Sequence, residues 1–226
     1  MRIEIRSGLG GAEKSRGVVV IIDVFRAGNT AAALLAAGAP FIVPVAELDE
    51  ALALKAQRPD WLLVGERRGI KPEGFEMNKS PAESAALDLT GRPAILTTSA
   101  GTRGLMAAAP GADVLIMATL VNISSAARFI RSLSPEVVTL VPMGLEGLSP
   151  AEEDEVAARH LAELLRGRQA DYRAGVKAML AGGGAARLRS LEQWRDLAYC
   201  LRLDALDIFP AASRVEGRLA LTTGRA

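Results

Sequence analysis

Four clusters of polar residues follow short apolar runs, and their side chains suit anion and metal chemistry. Asp23 closes the run Val18–Ile22 and is followed by Arg26. Glu66 and Arg67 follow Trp61–Val64, and Thr97, Thr98 and Ser99 end a run that begins at Ala94. Glu146 lies beyond Val137–Val141, with Glu152, Glu153 and Asp154 close behind. Carboxylates hold hard divalent cations, while arginine forks and hydroxyls grip oxyanions, so the combination suits Mg2+ with a phosphate. Asp23 is the strongest single candidate, because an acid ending a buried strand is costly unless it is paired or metal-bound. A cap for the next helix, or a partner for Arg26, is its alternative role.

The stretch Thr98-Ser99-Ala100-Gly101-Thr102-Arg103 leads from a strand into a helix. Such a turn presents free backbone N–H groups at the positive end of a helix dipole, where anions bind. Gly101 permits close backbone approach, and Arg103 adds a charged fork. Glu153 and Asp154 open a helix, where acids also act simply by stabilising the first turn, by about 0.3–1 kcal/mol each.

Other patterns are weaker. Gly8-Leu9-Gly10-Gly11 begins like a dinucleotide fingerprint, but Glu13 stands where the third glycine belongs. Phe25 takes the place of the second acid in the paired-aspartate motif of aspartyl-phosphate enzymes. The one histidine, His160, sits beside the apolar stripe of Val156 and Leu164 and reads as a packing residue. The one cysteine, Cys200, reads as a small buried hydrophobe. These counts exclude a disulfide framework and a multi-histidine metal site. Acid–base chemistry must then come from carboxyl groups or from metal-bound water.

The elements that would position these groups alternate. Strands are expected at Ile3–Ile5, Val18–Asp23, Phe41–Val45, Trp61–Val64, Ala94–Thr98, Val114–Met117 and Val137–Val141. Helices are expected near 29–37, 48–57, 82–88, 101–109, 123–133 and 151–166. Val/Ile/Leu-rich strands without strict alternation are buried on both faces, so the pattern predicts an α/β fold with a largely parallel or mixed sheet. Parallel strands would bring the four clusters to one rim, where open α/β sheets bind ligands. Ser80-Pro81-Ala82-Glu83 and Ser149-Pro150-Ala151-Glu152 each read as a capping box, and Gly167 as a helix stop. Residues 66–80 carry seven charges and fit neither period, as a long functional loop would. Beyond residue 150 the chain reads as helical, broken at Gly182-Gly183-Gly184, with a small hairpin around Val215–Leu219. One compact unit is expected over 1–226, with lobes at about 1–148 and 149–226.

Composition narrows the function. The chain has 226 residues, half of them hydrophobic, and a net charge of +1, which argues against disorder and against a broad basic nucleic-acid face. Arginine supplies 22 of the 27 basic residues. The uncharged stretch Ala27–Ala46 is interrupted by Gly28, Gly38, Pro40 and Pro44, so it reads as helix, turn and strand rather than a membrane span. The N-terminus lacks an apolar signal region. A cytoplasmic protein is expected, without nucleic-acid or membrane partners, and self-association into a homo-oligomer is compatible with the chain.

Five ordered motifs then resemble one family. V-V-I-I-D-V-F-R-A at 19–27, G-E-R-R-G at 65–69, G-F-E-M-N-K-S-P at 74–81, T-T-S-A-G-T-R at 97–103 and Glu153-Asp154 follow the order of 2-phosphosulfolactate phosphatases, over roughly residues 1–165. The resemblance implies a three-layer α/β/α, Mg2+-dependent phosphatase of coenzyme M biosynthesis, acting on a small anionic phosphate ester. Carried onto this chain, it implies catalytic roles for Asp23, Arg26, Glu66 and Arg67. Substrate binding would fall to Ser80, Thr97, Thr98, Ser99, Gly101, Thr102 and Arg103. Among the motif-matched residues, which also include Glu153 and Asp154, our assignment of Mg2+ ligands is Asp23, Glu66, Glu153 and Asp154. The chain departs from the family pattern at Gly28-Asn29, at Lys79 in place of an amide, and at Ala100 in place of asparagine. Two alternatives therefore stand beside this reading: a phosphatase for another small phosphorylated acid, and a non-catalytic anion-binding homologue.

Overall fold

Strand β2 (Gly17–Ile22) shows how the chain is layered. Val19 and Ile21 enter one apolar cluster, while Val18, Val20 and Ile22 enter another on the opposite face. A strand buried on both sides needs helices above and below it. Each fully buried aliphatic side chain contributes roughly 1.5–3 kcal/mol.

The computed structural model describes all 226 residues, Met1–Ala226. Its strands are β1 (Arg2–Ile5), β2, β3 (Ile42–Val45), β4 (Leu62–Gly65), β5 (Ala94–Thr97), β6 (Ala112–Met117), β7 (Val137–Pro142), β8 (Ile208–Val215) and β9 (Arg218–Arg225). Together they form a nine-stranded sheet in the order β1-β7-β2-β6-β8-β9-β3-β5-β4. Helices α1 (Gly8–Glu13), α2 (Ala27–Ala36) and α5 (Gly101–Ala108) contribute to the first cluster, on one face. On the other face lie α3 (Leu48–Gln57), α6 (Ile123–Ser132) and α7 (Glu152–Leu165). The remaining helices are α4 (Pro81–Ser84), α8 (Tyr172–Ala181), α9 (Gly183–Ser190) and α10 (Trp194–Cys200). The architecture is three-layer α/β/α with a mixed sheet.

All seven strands expected from the apolar runs form. The C-terminal hairpin forms but is larger than the small one expected around Val215–Leu219. Val215–Leu219 is only its tip, turning at Glu216 and Gly217, which take the two positive φ angles of a tight hairpin turn. Its strands are eight residues long and lie in the middle of the sheet. They separate a parallel group, β1-β7-β2-β6, from a second one, β3-β5-β4. Three antiparallel steps, β6 to β8 to β9 to β3, reverse the chain direction between the groups. The hairpin meets each group through one bridge pair, Ile116 with Ala211 and Ile42 with Leu221. The two groups share the first cluster, which holds Ile21 of β2 and Leu96 of β5.

Two capping expectations diverge. Ser80 does cap α4, accepting the Glu83 N–H at 3.2 Å. Ser149 does not cap α7, whose N-cap is Ala151. The Ser149 carbonyl instead accepts the Leu145 N–H and closes a tight turn ahead of the helix. No helix is long and apolar enough to cross a membrane.

Candidate active site

The ends of β2, β4, β5 and β7, with the starts of α7 and α9, surround a cavity of about 300 Å³. Asp23, Glu153 and Asp154 line one side of it, all buried. Asp23 Oδ1 accepts the Ala27 N–H at 3.0 Å and so caps α2. The carboxylate of Asp154 ties two loops together, accepting Val24 N–H at 2.7 Å and Gly144 N–H at 2.8 Å. Burial, then the charges of Asp23 and Glu153, push the Asp154 carboxyl well above its ordinary range. Burial also raises Glu153, with Asp23 and Glu152 adding to the effect. Glu153 Oε2 is buried without any hydrogen-bond partner.

Two glycines allow this crowding. A Cβ on Gly101 would lie 2.9 Å from Asp23 Oδ2 and 2.7 Å from the Ala27 Cβ, so only glycine lets α5 begin against Asp23. A Cβ on Gly184 would collide with the Glu153 carboxylate. The triple-glycine break is thus also a close packing point.

Glu66 faces the cavity from the end of β4 but has partners throughout. It accepts Ser99 N–H at 2.8 Å and Gly69 N–H at 2.5 Å, and Lys79 Nζ pairs with it at 3.1 Å. Burial alone would raise its pKa, but Lys79 and the two backbone donors prevail and hold it at about 2. Lys79 is 7% exposed and Ala100 4%, and both line the cavity. The Ala100 N–H has no protein acceptor. Of the anion-turn amides, three are already used: Ser99 donates to Glu66, Thr98 to Thr102 Oγ1 at 2.9 Å, and Thr102 to Thr98 Oγ1 at 3.1 Å.

Arg26, the largest fully buried side chain, also borders the cavity. Its Nη1 pairs with Asp196 on α10, and its Nε has no partner. Asp196 Oδ1 further accepts Ser80 Oγ at 2.7 Å and Ala82 N–H at 3.1 Å. Ser80 is thus committed to this network.

The other anticipated residues lie beside the cavity rather than in its lining. Thr98 and Thr102 bond reciprocally, each hydroxyl accepting the other's N–H, and both are fully buried. Arg67 donates to the carbonyls of Glu66 and Ala46 at 2.8 Å each and to Thr97 Oγ1 at 3.0 Å. Arg67 and Arg103 line an adjoining groove with Arg68, Ser99, Glu47 and Glu146. His160 is outside the cavity, with its pKa lowered by burial. Cys200 is buried, with its thiol pushed well up.

Sequence reasoning missed Asp196, Arg68 and Arg187, of which the two arginines line the cavity. Asp196 is buried while its neighbour Arg195 is exposed, a distinction that no local pattern reveals.

No three acidic, histidine or cysteine side chains converge closely enough to enclose a metal ion by themselves. The donor chemistry nevertheless fits Mg2+. Asp23, Glu153 and Asp154 are three hard carboxylates on one cavity, the last two raised by burial and then by neighbouring acids, and one buried oxygen of Glu153 lacks a partner. Mg2+ commonly takes one or two carboxylates and fills its other positions with water and phosphate oxygens.

A family model described as 2-phosphosulpholactate phosphatase matches residues 6–214. The chain is 35% identical over 221 residues to the "Probable 2-phosphosulfolactate phosphatase" of Carboxydothermus hydrogenoformans, covering 92% of this chain and 91% of that protein. It is 39% identical over 148 residues to the protein of that name from Thermus thermophilus, covering 66% of this chain and 61% of that one. To the Thermoplasma acidophilum protein of the same name it is 31% identical over 207 residues, covering 88% of this chain and 87% of the other. A match over nearly the whole chain, with relatives aligned through both parallel strand groups, shows that the protein belongs to the 2-phosphosulpholactate phosphatase family, and so among the phosphoric monoester hydrolases.

Proposed function

We propose that this protein hydrolyses 2-phosphosulfolactate to sulfolactate and phosphate with Mg2+, in the cytoplasm, as a step of coenzyme M biosynthesis. The observation that carries the metal requirement is the buried acid cluster of Asp23, Glu153 and Asp154 facing a cavity beside the start of α5, with one Glu153 oxygen unpartnered. Asp23 and Glu153 would hold the ion. Asp154, with both oxygens on backbone donors, braces the loops that carry them. Glu66 serves as a scaffold, because Lys79 and two amides already satisfy it.

Bound there, Mg2+ would neutralise the acids and polarise the phosphoryl oxygens. The Ala100 N–H and the positive end of α5 would receive a phosphate oxygen. Buried Arg26 supplies a fixed positive charge, with its Nε–H still free. Phe25, Leu188 and Leu191 line the cavity and limit water around the ester.

The test is phosphate release from 2-phosphosulfolactate with Mg2+ and with EDTA. Turnover abolished by EDTA and restored by Mg2+ supports the reading, and full activity in EDTA removes the metal from it. A rise in melting temperature with anions but no hydrolysis would show a binding protein instead.

Lys79 and Ala100 favour a second reading, hydrolysis of another small phosphorylated acid. Both side chains border the cavity, so replacing two amides there removes directional contacts and adds a cation. A panel of phosphate esters assayed on the natural protein and on Lys79→Asn/Ala100→Asn decides between them. If the natural protein prefers 2-phosphosulfolactate and the double variant keeps that preference, the second reading falls.

A further inference from the structure

The arginine groove next to the acid-lined cavity has the properties of a second oxyanion site. Arg67, Arg68 and Arg103 converge there, and none of them lies within 4.0 Å of a carboxylate or forms a salt bridge. Arg67 is half-buried and held by three neutral oxygens, of Glu66, Ala46 and Thr97. Its fork is therefore fixed in place by neutral acceptors, and no carboxylate pairs with it directly. Arg103 makes no side-chain hydrogen bond, yet it lies close enough for its charge to act against that of Arg67. Glu66 and Glu47 act on Arg67 more strongly than Arg103 does, but neither reaches salt-bridge distance of the three arginines, so their forks remain open to an anion. Glu47 and Glu146 border the groove but pair with none of the three. The groove, about 280 Å³, shares Arg68, Ser99 and Glu146 with the main cavity, so one small ligand could reach both.

We infer that the groove binds the sulfonate of the substrate while the acid-lined cavity takes the phosphoryl group. This rests on the hydrolase reading above and adds to it which end of the substrate goes where. The ester oxygen and the carboxylate share one carbon, so both stay at the cavity. The sulfonate hangs one carbon further out, toward the groove. Arginine forks match its tetrahedral oxygens, and their permanent charge suits an anion that never protonates near neutral pH.

The experiment compares 2-phosphosulfolactate with 2-phospholactate, which lacks only the sulfonate, on the natural protein and on Arg103→Gln and Arg68→Gln. Both side chains are exposed, so neither change empties the core. The ratio of kcat/KM between the two esters should fall about 10- to 100-fold in Arg103→Gln, the value of a lost hydrogen bond to a charged group. A ratio unchanged in both variants overturns the groove assignment while leaving the hydrolase reading intact. A second measurement is independent of turnover: sulfolactate alone should raise the melting temperature of the natural protein more than that of Arg103→Gln. If neither ester is hydrolysed, the hydrolase reading falls, and this sulfolactate comparison alone upholds or overturns the groove.

Discussion

Arg26 and Asp196 stand 170 residues apart in the chain and form an ion pair that is almost completely withdrawn from solvent. Through it the last helix, α10, fixes the guanidinium that borders the cavity. Asp196 also holds the start of α4 through Ser80 and the Ala82 N–H. One carboxylate thus joins the β2–α2 turn, the loop after β4 and the C-terminal helices.

Asp196→Asn should therefore cost both stability and activity. Removing one partner from a buried pair typically destabilises by about 3–5 kcal/mol, because the other charge is left uncompensated. In a chain of this size that is a fall in Tm of roughly 6–20 °C, measurable by calorimetry. Arg26→Met combined with Asp196→Leu should recover part of the stability and none of the turnover. Turnover recovered in that double variant would show that Arg26 serves the fold alone.

Asp23→Asn should reduce turnover at least ~10-fold, since it removes a hard anionic donor while keeping the shape of the side chain. The rise in Tm that Mg2+ gives the natural protein should shrink in the variant. An Asn variant with unimpaired activity and an unchanged response to Mg2+ would rule Asp23 out as a ligand.

Gly101→Ala should be disproportionately damaging for a single methyl group. The added Cβ would meet Ala27 at 2.7 Å and Asp23 Oδ2 at 2.9 Å, so α5 or the β2–α2 turn must shift. Overpacking of this kind costs about 1–3 kcal/mol. Activity should fall further than stability does, because the displaced atoms are those of the cavity wall. Parallel assays of Tm and kcat check this.

Two opposite pH dependences are expected. Glu66 titrates at about 2 in the folded protein against an ordinary 4.5, so its contribution is present above pH 4.5 and lost as pH falls toward 2. Lys79→Asn removes the largest favourable cause, and acid unfolding should then begin at higher pH. Glu153 and Asp154 shift the other way. Folding binds protons there, so without metal their contribution weakens as pH rises from the ordinary carboxylate range through their raised values. Mg2+ opposes that loss, and its effect on Tm should be larger at pH 8 than at pH 5. Tm measured against pH, with and without Mg2+, tests both.

The strands were legible because each is a short Val/Ile/Leu run buried on both faces, a property written into consecutive residues. Asp23 and the turn from Thr98 to Arg103 were legible for a similar reason, being polar groups placed locally at the end of such a run. The tertiary structure decided what those groups touch. The sequence shows Glu66 as one more acid at a strand end, yet it lies 13 residues from the Lys79 that neutralises it. Arg67 and Arg103 look like neighbours of Asp23 by motif order, but they line a separate groove because Arg67 turns toward Ala46 and Thr97. The C-terminal segment reads only as a small hairpin, since nothing in its composition says that it will pair with β6 and β3 at the centre of the sheet. Asp196 carries no local signal at all. Its burial and its pairing with Arg26 arise only when segments 170 residues apart pack together, and pairing at that separation depends on the whole fold rather than on any window of sequence.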